Sequence, residues 1–127
     1  MKTEIKVSFD FDCTLDKIGV QAYAKELLDN GIDVWICTSR TCPENSENGW
    51  NDDLFLIADE LGIKRDNIIF TNHEDKSNHL LHKNFKWHLD DDWIELNQLN
   101  KSKDIVGISV FGNSTWKSKC NRVLTGK

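Results

Sequence analysis

Five short apolar runs, separated by stretches of helical periodicity, constrain this chain more than any other feature of its sequence. They are Ile5 to Phe9, Ile32 to Thr38, Asn67 to Thr71, Phe85 to Leu89 and Ile105 to Val110. Apolar runs of this length read as buried strands, the state of strands in a parallel sheet. After the first run, Lys17 to Gly19 read as a turn. Val20, Tyr23, Ala24, Leu27 and Leu28 then recur at helical spacing and stop at Gly31. A polar loop, Thr41 to Gly49, follows the second run and is long enough to face a substrate. Asn51 or Asp52 is placed to cap a helix carrying Leu54, Ile57, Ala58 and Leu61, closed by Gly62. His73 to His82 reads as a short helix started by Glu74 and Asp75, with Lys76 in its first turn. Trp93, Ile94, Leu96 and Leu99 fit a further helix, and the weakly patterned tail from Phe111 to Lys127 holds a helical turn around Lys117 to Leu124. Strands alternating with helices predict a doubly wound, Rossmann-like α/β fold with helices on both faces of a parallel five-stranded sheet. Right-handed crossovers then favour the strand order 3-2-1-4-5. In that order strands 1 and 4 meet where the winding reverses, and ligands bind beyond the carboxyl ends of strands at such a point.

A chain of 127 residues, 39% of them hydrophobic, makes one domain spanning 1–127 with room for a proper core. Its formal charge of −5 offers no broad basic surface for nucleic acid, although Lys117, Lys119, Arg122 and Lys127 make the tail locally basic. With no long apolar span and no signal peptide, a soluble, cytoplasmic protein without a membrane partner is expected. Cys13, Cys37, Cys42 and Cys120 form no CxxC pair, so reduced, packed thiols are expected rather than disulfides or a zinc site. No sequence feature sets the oligomeric state.

The chemistry concentrates at the carboxyl ends of these strands. The first run continues into VSFDFDCTLD, with Asp10, Asp12, Thr14 and Asp16 in quick succession. Strand alternation puts Asp10 and Asp12 on one side. An Asp before a helix is often only its cap, but that accounts for one aspartate and not for a pair closing a buried strand. The fourth run ends in Asp90, Asp91 and Asp92, and the second in Thr38, Ser39 and Arg40. In the predicted order the two acidic groups face each other with Thr38 beside them. Carboxylates gathered there repel unless a divalent cation lies among them, and an all-oxygen set with room for phosphate suits Mg²⁺.

These residues resemble the four motifs of the haloacid dehalogenase (HAD) superfamily of phosphatases, in order and spacing, over about residues 5 to 110. Asp10, Asp12 and Thr14 match the first motif and Thr38 the second. Lys76 matches the third, and Asp90 with Asp91 the fourth. The resemblance implies a Mg²⁺-dependent phosphomonoester hydrolase in which Asp10 is the nucleophile and Asp12 the general acid and base. Thr38 would donate to the phosphoryl group and Lys76 would balance its charge. The metal would be held by Asp10, the carbonyl of Asp12 and the paired acids Asp90 and Asp91, with Asp92 replacing Asp91 if the strand runs one residue longer. Thr14, Ser39 and Arg40 would line the substrate site. The family usually has glycine where this chain has Cys13. Neither inter-motif stretch is long enough for the cap domain many members carry, and capless members act on macromolecules or borrow a lid from a partner subunit. The TSR at Thr38 to Arg40 resembles the phosphatase domains of phage polynucleotide kinases and related nucleotidases, so a phosphate on a nucleotide or nucleic-acid end is the expected substrate. The rival reading is a HAD-like binding module or subunit without turnover.

Other candidates weigh less. His79 and His82 lie three apart but lack a third ligand, so they read as surface histidines. Lys83 and Lys86 neighbour Lys76, but lack the acidic helix start beside it. His88 reads as a strand residue, placed where it could tune Asp90. Trp50, Trp87 and Trp93 read as core or rim packing rather than base-stacking platforms.

Overall fold

A computed structural model of the chain describes residues 5–111 and 114–126. Ten elements alternate along it: β1 (Lys6–Phe9), α1 (Ile18–Asp29), β2 (Asp33–Thr38), α2 (Asp52–Leu61), β3 (Ile68–Phe70), α3 (Ser77–Leu80), β4 (Phe85–Asp90), α4 (Trp93–Lys101), β5 (Val106–Ser109) and α5 (Trp116–Thr125). The five strands pair in parallel in the order β3-β2-β1-β4-β5. β1 and β4 are therefore neighbours at the reversal of winding, as the strand pattern predicts.

Side chains alternate across the sheet and seed two cores. Val7, Phe9, Val34, Ile36, Trp87, Leu89 and Ile108 pack with Val20, Tyr23, Ala24 and Leu27 of α1, with Leu54 and Ala58 of α2, and with Cys120 of α5. Trp87 is central to this core, edge-on to Phe9 at 5.2 Å and stacked with Tyr23 at 6.3 Å between ring centroids. Cys37, Phe85 and Ile105, together with Leu80 of α3 and Leu99 of α4, form the second core. At the edge, Asn100 both accepts from Gly107 N–H (2.8 Å) and donates to its carbonyl (3.0 Å), which occupies backbone groups that β5 would otherwise expose. A side chain at Gly107 would meet Leu96 at 3.0 Å, so this close packing needs glycine.

Four local expectations are corrected. Ile18 and Gly19 lie inside α1 rather than in a turn, because Lys17 is extended and its carbonyl already accepts from Gln21 N–H at 3.0 Å. The helix expected over His73 to His82 shrinks to α3. Asn72 and His73 take left-handed φ values of 54° and 67°, and their N–H groups go to Arg40 and Ser39 carbonyls at the end of β2. Asn51 flanks α2, but its side chain donates to the Thr41 carbonyl instead of capping the helix. The weakly patterned tail forms a full helix, α5, held to the sheet through Cys120 and Trp116. Cys37 and Cys120 are buried while Cys13 is exposed, and all four thiols are free. Lys127 of the basic tail lies outside the described residues.

Candidate active site

The site forms where β1 stops. Phe9 is the last residue of the strand, and Asp10 N–H donates to the Leu89 carbonyl at 2.8 Å, fixing that end of β1 against β4. The chain then turns over Phe11–Leu15, with Cys13 at φ 62° and the Asp10 carbonyl accepting from Leu15 N–H. Because the strand ends before either aspartate, alternation does not set their directions. Asp10 is buried, whereas Asp12 is exposed and turned to Arg40. The left-handed backbone at Cys13 is the conformation glycine adopts most readily, which gives a physical reason for glycine at that place in the resembling motif.

Lys76, ahead of α3 and only 3% exposed, reaches under the strand ends. Its Nζ donates to Asp10 Oδ1 at 2.8 Å and to Asp90 Oδ2 at 2.6 Å. Asp91 joins them, and one ligand oxygen from each of Asp10, Asp90 and Asp91 lies within 4.8 Å of the others. Asp10 and Asp90 thus share one ammonium, with the Asp91 carboxyl beside them. Burial pushes the Asp10 carboxyl well above the usual range, against the pull of Lys76 and with the push of Asp90. Burial acts in the same sense on Asp90, but the His88 hydrogen bond and the Lys76 charge outweigh it and hold that group far below the usual range. Burial also raises Asp91. Lys76, which burial alone would lower, is kept charged by Asp10 and Asp90. Asp10 and Asp90, both ionised, exceed the one charge of Lys76 by one, and a proton on Asp10 or a metal ion beside it removes that excess.

Asp90 is saturated by donors. Oδ1 accepts from the N–H groups of Asp91 (2.8 Å) and Asp92 (3.1 Å), and Oδ2 from Lys76 and from His88 Nε2 (2.7 Å). Asp92 is occupied elsewhere, since its Oδ1 caps α4 by accepting from Ile94 and Glu95 N–H. Asp10 and Asp91 are the carboxyls with room for a metal, and their hard oxygens fit Mg²⁺.

The remaining predicted residues surround this group. Thr14 Oγ1 donates to Asp10 Oδ2 at 3.3 Å. Thr38 is buried at the end of β2, and its Oγ1 accepts from Arg40 N–H at 3.2 Å. Ser39 is exposed beside it. Arg40 forks twice, to both oxygens of Asp12 and to both of Asp53, with its guanidinium 5.0 Å from the Phe11 ring centroid. The Arg40 hydrogen bonds hold Asp53 below the usual carboxylate range. Asp12, Arg40, Asn45, Trp50 and His73 line a cleft of about 640 Å³ beside the carboxylates, and Trp50 is 61% exposed at its rim. The polar loop of residues 41–49 forms one wall, as expected of a substrate-facing segment. His79 pairs with Glu74 at 2.9 Å, and Asp10, Asp90 and Asp91 are the one group of three such side chains among the described residues that could hold a metal ion.

Three participants escaped the sequence reading. Asp53, one residue beyond the expected helix cap, accepts from Arg40, and Glu95 accepts the Lys76 backbone N–H at 3.3 Å. Ser8 Oγ lies 2.9 Å from His88 Nδ1 in the middle of the sheet. The signal for that pair was present, since Ser8 and His88 are polar residues inside strands read as buried.

No protein-family description and no curated protein sequence matches this chain. Among solved structures, a Vibrio cholerae protein named as a candidate 3-deoxy-D-manno-octulosonate 8-phosphate phosphatase superposes with a TM-score of 0.52 over 98% of this chain and 85% of its own. The two share a fold. At 15% identity the likeness extends no further than that. No domain is inserted into either inter-motif stretch here: the Phe11–Leu15 turn and α1 separate β1 from β2, and the loop of residues 41–49 and α2 lie between β2 and β3.

Proposed function

We propose that this protein is a Mg²⁺-dependent phosphomonoester hydrolase of the HAD type. The observation that carries the reading is the convergence of Asp10, Asp90 and Asp91 at the carboxyl ends of adjacent strands, with Lys76 paired to the first two. Four sequence motifs resembling those of the superfamily supply these same residues, and the shared fold supports it. Asp10 and Asp91 would hold the ion together with the Asp12 carbonyl. Bound there, it would offset the charge of the phosphoryl oxygens.

Asp10 attacks phosphorus with one carboxylate oxygen, and the ester P–O bond breaks to give an aspartyl-phosphate. The departing alkoxide takes a proton from Asp12. Asp12 then removes a proton from water as the water attacks phosphorus, releasing inorganic phosphate and restoring Asp10. Lys76 and Thr38 stabilise the charge on the phosphoryl oxygens. Both Asp12 oxygens are engaged by Arg40, so Arg40 must yield one before proton transfer; an anionic substrate in the adjoining cleft competes for the same guanidinium.

The substrate class that best fits is a terminal phosphate on a nucleotide or nucleic-acid end. The uncapped site, the Thr38–Arg40 triplet and the exposed Trp50 ring beside the cleft support it. The name of the Vibrio cholerae protein raises sugar-acid phosphates as the competing class. Phosphate release from nucleotides, from 3′- and 5′-phosphorylated oligonucleotides and from 3-deoxy-D-manno-octulosonate 8-phosphate, with and without Mg²⁺, tests both points. Mg²⁺-dependent release fastest from a nucleotide or oligonucleotide is expected. Release fastest from the sugar phosphate overturns the substrate class, and no release from any of them supports the non-catalytic alternative.

A further inference from the structure

Ser8 and His88 are fully buried, opposite each other in register across β1 and β4. A valine and an isoleucine there would cost less, because buried polar groups offset their desolvation only through hydrogen bonds. The pair is not closed on itself. From Ser8 Oγ the contact runs 2.9 Å to His88 Nδ1, and from His88 Nε2 it runs 2.7 Å to Asp90 Oδ2. An ionised carboxylate can only accept, so Nε2 carries the proton toward Asp90. Nδ1 of the neutral ring then accepts from the Ser8 hydroxyl.

The chain of contacts ends on the reacting group. Asp91 and Asp92 N–H fill Asp90 Oδ1, and His88 takes one of the two donor positions on Oδ2. The other belongs to Lys76, whose ammonium also reaches Asp10. We propose that His88 is a positioning residue: Asp90 sets its tautomer, Ser8 holds the ring from the other side, and its Nε2–H aims Asp90 so that Asp90 holds Lys76 against Asp10. The kinetic part of this proposal rests on the phosphatase reading; the tautomer does not.

Long-range ¹H–¹⁵N correlation on the full-length protein reads the tautomer directly. A protonated Nε2 with an unprotonated Nδ1 is expected. A proton on Nδ1, with or without one on Nε2, overturns the proposal. His88→Gln retains an N–H near the Nε2 position, whereas His88→Leu does not. Changes in partners that orient metal-site groups typically cost 10- to 100-fold. His88→Leu should therefore lower kcat about tenfold or more, with KM for Mg²⁺ near that of the wild type, because Asp10 and Asp91 are the proposed ligands. His88→Gln should recover most of that loss. A His88→Leu enzyme with wild-type kcat, or a His88→Gln enzyme as slow as His88→Leu, overturns the positioning role. If His88→Leu does not fold, Ser8→Ala decides: reduced kcat is expected with the Nε2–H tautomer kept, because Asp90 still accepts its proton, and wild-type kcat overturns the proposal. Wild-type protein that releases no phosphate removes the phosphatase reading and the kinetic role together, and the spectrum still tests the Ser8–His88–Asp90 arrangement.

Discussion

Arg40 donates to both oxygens of Asp12, from Nε at 3.0 Å and from Nη2 at 2.8 Å. The same guanidinium forks to Asp53 at 2.8 and 3.0 Å, so one cation joins the turn after β1 to the first turn of α2. These carboxylates are largely exposed and their pairs add little to stability. The arrangement matters for where Asp12 points and for what an incoming anion must displace.

Arg40→Ala is expected to raise KM for a phosphorylated substrate about tenfold, the order expected when a charged contact is lost, while changing thermal stability little. Arg40→Lys should not restore it, because an ammonium cannot fork to two carboxylates at once. Steady-state kinetics on the two variants check this. A KM unchanged in Arg40→Ala would remove Arg40 from substrate recognition.

Asp10 makes stability fall with rising pH in the metal-free protein. Its carboxyl is raised from 3.8 to about 9 by burial, so between those values the unfolded chain has lost a proton the folded chain keeps. Stability therefore falls as pH rises through that window, by at most about 1.4 kcal/mol per pH unit. Asp90 acts oppositely: its depressed pKa gives stability that is present above 3.8 and lost as pH falls below it. Asp10→Asn should thus be more stable than wild type in EDTA, by a margin that widens from pH 5 to pH 8. Urea titrations across that range check the slope; a constant margin would contradict it.

Lys76→Met leaves Asp10 and Asp90 buried without their cation. Breaking a buried pair from one side costs about 3–5 kcal/mol, and here Asp90 loses the ammonium that it shares with Asp10. A large drop in the denaturation midpoint is expected, together with loss of activity. Adding Asp90→Asn to Lys76→Met should cost less than the two single losses summed, because the residues share one interaction.

The architecture was legible because buried parallel strands and amphipathic helices leave different periods in the sequence, and right-handed crossovers leave few ways to arrange them. Residues at strand ends, such as Thr38 and Asp90, could be placed from that pattern. Asp12 could not, because its direction depends on the turn at Cys13 rather than on strand alternation. The helix before Lys76 was overestimated for a related reason: Asn72 and His73 bond to the β2 end, a tertiary contact that helical propensity does not register. Asp53 and Ser8 act through partners 13 and 80 residues away, which no local pattern links.

Cys13 occupies left-handed backbone at φ 62°, where a side chain costs about 1–2 kcal/mol relative to glycine. Glycine gives back part of that through the entropy it loses on folding. Cys13→Gly is therefore expected to keep activity and to raise stability by up to about 1 kcal/mol. Chemical denaturation checks the sign, and a clear destabilisation would contradict the backbone argument.

The central claim is that Asp10 is a nucleophile working beside a bound divalent ion. Phosphate release from 4-nitrophenyl phosphate, measured for wild type and Asp10→Asn in Mg²⁺ and in EDTA, tests it most directly. Turnover by wild type in Mg²⁺ alone, with none from Asp10→Asn under either condition, is the predicted result. Comparable turnover by Asp10→Asn, or wild-type turnover indifferent to EDTA, would contradict it.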